Sequence, residues 1–375
     1  MSDDIPFDIQ SEIIKRLPVK SLLRFRSISK QWKSFIDNPK FIKNYHVNHA
    51  SPQHHLLLCY ELDTVENYTS VIDNDTFPKQ KFPLTAPESL HFNDTFLLNS
   101  VNGLFCFYDC YGHVDPNTKI VVIWNPTVRK SVGIDILVPE ERYTKEACIV
   151  VGFGVCPDTS DLKLVKIIDD KIFSMWVVEV FTLSTRVWKT VYTGPPFKSC
   201  YLTWFQVFLD GVIYFLVYDD VFLVHGSRLN SVISFHLKSE KFGEVCLPER
   251  LVHTPDLTVK KVNESLGLLE YYDEGDMKVC GVWSRKDGAN NQFTKIYTIK
   301  VEGKWLFNWV LGFRSNGEVV MELDADNYKE SRIAIYEPLS GHINDVGING
   351  DLCTLYAWSY METLLLLDEA DSIIH

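Results

Sequence analysis

Five stretches of this chain are variations on one theme, and their spacing restricts the fold more than any other feature. They are IVVIWNPTVRKSVGI from residue 120, VVEVFTLSTRVWKTV from 177, SVISFHLKSEKFGEV from 231, MKVCGVWSRKDGANNQFTKI from 277 and RIAIYEPLSGHINDV from 332. Each reads as a β run, an aromatic, a turn and a second β run. The aromatics are Trp124, Phe181, Phe235, Trp283 and Tyr336, separated by 57, 54, 48 and 53 residues. Between them recurs a turn glycine leading into an apolar strand: NGLFCFYD from 102, DGVIYFLVYD from 210, LGLLEYYD from 266 and NGEVVMELD from 316. Asn102-Gly103, Asp210-Gly211 and Asn316-Gly317 suit tight turns that need positive φ. Each period thus carries about four strands, a unit that buries its apolar faces only by stacking on its copies.

Four-stranded units at a period near 50 are those of kelch-type β-propeller blades. Over residues 52–370 the period implies about six blades, with NYTSVIDNDTFPKQKF from 67 as a degenerate copy. The runs HHLLLCY from 54 and METLLLLDE from 361 are expected to complete one blade between them, which removes exposed sheet edges. Trp124, Trp188 and Trp283 recur with the period and are expected to fill space between blades.

The first fifty residues are of another kind. They hold nine Lys/Arg against five Asp/Glu, whereas the remainder holds 28 against 44. Two parts with different partners are expected, 1–48 and 49–375. Three short helices are legible in the first. After Pro6, Ile9, Ile13, Ile14 and Leu17 fall at helical spacing until Pro18 ends the run. Leu22, Leu23 and Phe25 form a second apolar segment. Ser29 can cap a third helix with Trp32, Phe35 and Ile36 on one face, stopped by Asn38-Pro39. So small a unit is marginal alone, so some of these side chains await a partner or the second domain.

The string IPFDIQSEIIKRLPVKSLLRFRSISKQWKSFI resembles an F-box. The entry is Ile5-Pro6, the break Leu17-Pro18, then Ser21-Leu22-Leu23-Arg24-Phe25-Arg26 and Lys30-Gln31-Trp32; Ile28 stands where plant members commonly have Cys or Val. The resemblance implies docking to the Skp adaptor of a cullin-RING ligase through Pro6, Ile9, Leu17, Pro18, Leu22, Leu23, Ile28 and Trp32. Ile13, Ile14, Phe35 and Ile36 are read instead as core. The body resembles the plant F-box-associated domain, a kelch-like module, at Asn102-Gly103-Leu104, Trp124-Asn125-Pro126, Gly152-Phe153-Gly154, Val180 through Trp188, Gly211 with Tyr214, and Ile233-Ser234-Phe235. It departs at Phe293, where many relatives have Trp, and in lacking any Gly-Gly pair.

The expected fold is therefore mainly β with a small α N-terminal domain: a three-helix F-box and a kelch-like β-propeller of about six blades. The expected function is that of a non-catalytic substrate-recognition subunit of an SCF-type ubiquitin ligase. The adaptor would join it to cullin and RING subunits, and the β domain would bind a target protein. Target contacts are expected in the least repetitive loops, 139–146, 194–204 and 219–229. The architecture also hosts glycan-binding and enzymatic propellers, and an F-box protein can act outside degradation.

No phosphate-binding loop, HExxH, GxSxG or EF-hand pattern occurs, and Gly152-Phe153-Gly154 lacks the third glycine of a dinucleotide site. Cys106, Cys110 and His113 lie close together but lack a fourth zinc ligand, and His46, His49, His54 and His55 read as linker histidines. No metal or cofactor is expected. The nine cysteines show no CxxC pair and read as free thiols of a reducing compartment. A net charge of −12 argues against nucleic acid as the main ligand. The most apolar stretch, from 201, is broken by Asp210, Gly211, Asp219 and Asp220, so strands and turns are expected there, not a membrane span. Work in the nucleus and/or cytoplasm is expected.

Overall fold

A computed structural model describes residues 5–48, 53–87, 90, 95–109, 118–137, 148–219, 229–285, 292–301, 306–324, 330–369 and 372–374. The N-terminal part has four helices, one more than expected: α1 (Phe7–Ile14), α2 (Val19–Ile28), α3 (Lys30–Ile36) and α4 (Pro39–Asn48). Asn38-Pro39 does end α3, but the same pair starts α4. Asn38 Oδ1 accepts from the Lys40 amide at 2.9 Å, and proline needs no amide partner in a first helical turn. Pro18 acts likewise, its ring holding φ at −58° while its carbonyl accepts from the Ser21 and Leu22 amides. Ser29 is extended and its Oγ accepts from the Trp32 amide at 3.1 Å, as its cap role required. Arg26 grips Asp37 through two nitrogens at 2.5 and 3.0 Å, tying α2 to the end of α3.

The rest is a six-bladed propeller in which every blade has four antiparallel strands. The chain runs β1 (His54–Leu62), β2 (Val65–Ile72), β3 (Lys81–Leu84); β4 (Thr95–Val101), β5 (Leu104–Asp109), β6 (Thr118–Asn125), β7 (Lys130–Leu137); and β8 (Cys148–Val155), β9 (Leu162–Asp170), β10 (Met175–Thr182), β11 (Val187–Gly194). It continues with β12 (Cys200–Leu209), β13 (Val212–Asp219), β14 (Asn230–His236), β15 (Lys241–Val245); β16 (Asp256–Val262), β17 (Ser265–Glu274), β18 (Met277–Arg285), β19 (Phe293–Lys300); and β20 (Leu306–Phe313), β21 (Val319–Asp324), β22 (Glu330–Tyr336), β23 (Ile343–Asp351). Two last strands, β24 (Tyr356–Met361) and β25 (Ser372–Ile374), return to the first two blades.

The five repeat aromatics lie near or at the end of the third strand of their blades, on β6, β10, β14, β18 and β22. The degenerate copy from 67 is the third and fourth strands of blade one, β2 and β3. The turns at Asn102-Gly103 and Asp210-Gly211 carry φ of 53° and 79°, and 48° and 80°, the paired positive values of a two-residue hairpin. At Asn316-Gly317 only the glycine is positive, in a longer turn. In blade five Asn263-Glu264 makes the turn, at 47° and 61°, and Gly267 lies inside β17 rather than in the turn expected near it.

Each space between neighbouring blades is filled by its own apolar cluster. Strand alternation explains how one strand serves two clusters. Along β13, Ile213, Phe215 and Val217 face blade three, while Tyr214, Leu216 and Tyr218 face blade five. A strand buried on both faces must be apolar throughout, so the longest apolar stretch is propeller interior. Trp124, Trp188 and Trp283 each join an interblade cluster, as their recurrence implied.

Ring closure differs from expectation in its strand. The innermost position of blade one is taken by β24, which pairs antiparallel with β1 from His54↔Met361 to Cys59↔Tyr356. METLLLLDE is not that strand. Residues 362–369 turn away from the sheet instead and carry Leu364 and Leu367 into the helical core, where their apolar surface is buried. Beyond it, β25 pairs in parallel with β7 and gives blade two a fifth strand.

Candidate functional site

The antiparallel pairing sorts the connections between two ends of the ring. First-to-second and third-to-fourth strand turns lie at one end. Second-to-third turns and interblade loops lie at the other. The helical domain sits at the first end, because β24 leaves the ring there and β1 enters there.

Ile14, Val19, Leu22, Ile36, Phe41, Ile42 and Tyr45 bury against Leu364 and Leu367, with Val128 of the β6–β7 turn at the margin. Lys20 reaches Glu362 at 2.9 Å and lies over the Phe82 ring. Tyr45 donates its hydroxyl to the Leu17 carbonyl at 2.7 Å, and burial pushes that phenol well above its ordinary range. The segment is held from beneath: Asn125, fully enclosed, donates through Nδ2 to the carbonyls of Thr363 (3.1 Å) and Leu365 (2.7 Å). Arg186 pairs with Glu369 at 2.5 Å further along.

On the outer side of the helices apolar side chains meet water. Ile9 is 55% exposed, Ile13 52% and Ile28 69%, with Ile5 and Phe7 beside them. Phe7 stacks on Trp32 at 5.2 Å and meets Phe35 edge-on at 5.6 Å, so the aromatic edge is continuous with this face. Of the eight residues carried over by resemblance, Pro6, Ile9, Pro18 and Ile28 are exposed, and Leu17, Leu23 and Trp32 are half-buried. Leu22 is a correction: it is wholly enclosed, because one helical turn aligns it with Val19 on the inward face of α2, so it supports the surface without lining it. Ile13 is the opposite correction. Its apolar character suggests core, but α1 turns Ser11 and Ile14 inward and leaves Ile13, one position before Ile14, in water.

Of the expected loop 194–204 only 195–199 join strands, with Phe197 exposed at the far end; from Cys200 the chain is already β12, along which Tyr201, Trp204 and Phe205 are exposed. Ile172 and Phe173 of the β9–β10 turn are exposed beside it, joined through Lys171, whose Nζ donates to the Cys200 carbonyl at 2.5 Å and lies over the Tyr201 ring. These exposed apolar side chains escaped sequence reasoning at 172–173, where the turn residues follow two aspartates and read as ordinary surface. The expected contact loop 139–146 lies outside the described residues, as do 220–228 of the loop 219–229.

Cys110, His113 and His49, and the side chain of His46, also lie outside the described residues. Among those described, no group of three or more His, Cys, Asp and Glu side chains could hold a metal ion, and no helix is long and apolar enough to cross a membrane. His55 is no linker residue: it is buried in β1, with Nδ1 3.1 Å from Ser70 Oγ and Nε2 3.6 Å from Glu362. Burial lowers its pKa to about 4.

Residues 2–44 match the F-box domain family, and residues 55–354 match the family described as the F-box associated beta propeller domain. F-box protein At2g21930 of Arabidopsis thaliana is 27% identical over 365 residues, covering 93% of this chain and 87% of its own. A second protein of that plant, F-box protein At5g18160, is 28% identical over 301 residues, covering 78% and 69%. A third A. thaliana F-box protein, At1g47790, is 30% identical over 255 residues; that match covers 66% of this chain but only 60% of the relative. The chain therefore belongs to the F-box proteins that carry an F-box associated β-propeller domain.

Proposed function

We propose that this chain is the substrate-recognition subunit of an SCF-type cullin-RING ubiquitin ligase. The F-box docks a Skp adaptor, and through it cullin and RING subunits, while the propeller binds a target protein. The carrying observation is the apolar outer face of the helices, where Ile9 and Ile28 stand more than half exposed on a domain clamped to the ring. Burying such side chains is worth about 1.5–3 kcal/mol each, a few of which make a stable interface. Pro6, Ile9, Leu17, Pro18, Leu23, Ile28 and Trp32 form the contact, Leu22 holds it from below, and the surrounding lysines and arginines steer toward an acidic partner.

Target binding belongs to the opposite end, at the aromatic face around Phe197, Tyr201 and Phe173. Catalysis then resides in other subunits, and this chain contributes proximity: a clamped F-box holds target lysines at high effective concentration near the charged ubiquitin carrier. The working compartment is the nucleus and/or cytoplasm. The test is co-purification of the full chain with a plant Skp adaptor, beside an Ile9→Asp, Ile28→Asp variant. Retention of the intact chain and loss of the variant supports the reading. Failure of both to bind sinks it.

A further inference from the structure

The blades enclose an axial channel of about 1390 Å³, lined by the inner strands β4, β12, β16, β20 and β24. Three of these strands are irregular. β4 shifts register between Leu97 and Asn99, β12 between Leu202 and Gln206, and β20 on both sides of Trp309–Val310. Bulges of this kind re-aim side chains. The one in β12 releases Thr203, Trp204 and Phe205 from the ladder, and Thr203 Oγ1 takes up the slack by donating to the Leu216 carbonyl at 2.7 Å. Trp204 and Phe205, with Trp309 and Trp358 from β20 and β24, give the channel an aromatic wall.

Of the three cations that line the channel, Lys261 pairs with Glu264 and Arg314 with Asp73, which leaves Lys260. Lys260 of β16 donates to the Leu311 carbonyl at 3.1 Å and lies 5.0 Å from the centre of the Trp358 ring. Neither neighbour neutralises an ammonium. The other well-buried cations of the propeller are paired: Lys166 with Glu179 at 2.6 Å, Arg314 with Asp73 at 2.8 Å, Lys163 with Glu240 at 2.9 Å. Among the described residues Lys260 has no carboxylate at such distance, and burial alone lowers its pKa to about 8. Beside the same channel, the buried amide of Asn99 keeps its Nδ2 donor without a partner from the chain. An unpaired charge and an unpaired donor cost folding energy that a bound anion would return.

We propose that the axial channel binds a small organic acid, its carboxylate on Lys260 and its flat apolar body against Trp204, Phe205, Trp309 and Trp358. A single ammonium suits one carboxylate better than a doubly charged phosphate, and aromatic walls suit an unsaturated body. Lys260 belongs to a channel-lining strand and not to a loop at either mouth, which favours a free acid over the side chain of a docked protein. This site is a property of the chain alone and stands apart from adaptor docking.

Calorimetry on the full chain, without adaptor, tests it with benzoate, cinnamate and 2-naphthoate, with 2-naphthamide as the neutral match, and with a capped pentapeptide bearing one central glutamate. The expected result is saturable binding of an acid at about one per chain, with the amide at least about tenfold weaker. Lys260→Gln should lose about as much, and Lys260→Arg should keep most of it. Equal binding of acid and amide, unchanged affinity in Lys260→Gln, or no binding of any acid overturns the proposal. Binding of the peptide alone overturns the free-acid assignment in favour of an acidic target segment. Should Lys260→Gln fail to fold, the acid–amide comparison on the natural chain decides.

Discussion

Asn125 Nδ2 lies 2.7 Å from the Leu365 carbonyl, and this contact pins the segment on which the helical domain packs. The asparagine follows the third-strand tryptophan of blade two. The carbonyl belongs to the segment whose Leu364 and Leu367 sit in the F-box core. A propeller landmark thus holds the platform on which the F-box rests. Replacing Asn125 with Leu removes the bonds to Thr363 and Leu365 and the acceptor of the Thr127 amide at 2.9 Å. The buried carbonyls left behind should cost about 2–4 kcal/mol. Calorimetric unfolding should show a lower Tm, and limited proteolysis should cut first near 362–369; an unchanged pattern would remove the clamp from the account.

Surface and core positions of the F-box should separate cleanly. Ile9→Asp and Ile28→Asp alter exposed side chains, so Tm should move little while adaptor binding is lost. Leu22→Ala should instead cost about 2–5 kcal/mol of stability, because it opens a cavity among Val19, Ile36 and Leu364. Chemical denaturation beside an adaptor pull-down reads both.

Gly103 and Gly341 offer a matched pair. Both have positive φ, 79° and 71°. A Cβ at Gly103 would drive into the Met361 carbonyl and the Thr363 side chain, where β24 closes the ring, whereas at Gly341 it meets nothing within 4 Å. Gly341→Ala should cost only the backbone term, about 1–2 kcal/mol. Gly103→Ala should cost clearly more and weaken closure, read as faster hydrogen exchange in β1 and β24.

His55 should make stability depend on pH. Its folded pKa is lowered to about 4, chiefly by burial, against an ordinary value of 6.5. The unfolded chain therefore binds more protons between those values, and stability falls as pH drops from about 6.5 to about 4. The full effect is about 3 kcal/mol. Denaturation midpoints measured across that range should flatten in His55→Gln; an unaltered slope would assign the dependence to other groups.

Blade period, blade count and third-strand aromatics were legible because each recurs, and recurrence reflects a stacking unit that local alternation already encodes. The helix breaks at Pro18 and Asn38 were legible too, since a missing amide donor acts within one turn. The start of α4 at Pro39 was misread for the same local reason, because a proline that ends one helix also suits the beginning of the next. Which F-box residues face outward was only partly legible. Ile13 and Ile14 are adjacent and chemically alike, and only the docking of α1 on its neighbours decides which one is enclosed.

By itself the sequence determined the parts: a helical cap of F-box pattern and a ring of about six four-stranded blades. Tertiary structure decided how they are joined. That β24 closes blade one, that 362–369 leave the ring to core the F-box, that the bulge in β12 releases Trp204 and Phe205 from the ladder, and that Lys260 has no ion-pair partner among the described residues all depend on residues distant in the chain. The physical reason is range. Propensity and periodicity act over a few residues, whereas closure, burial and charge pairing are set by whatever the finished ring brings alongside.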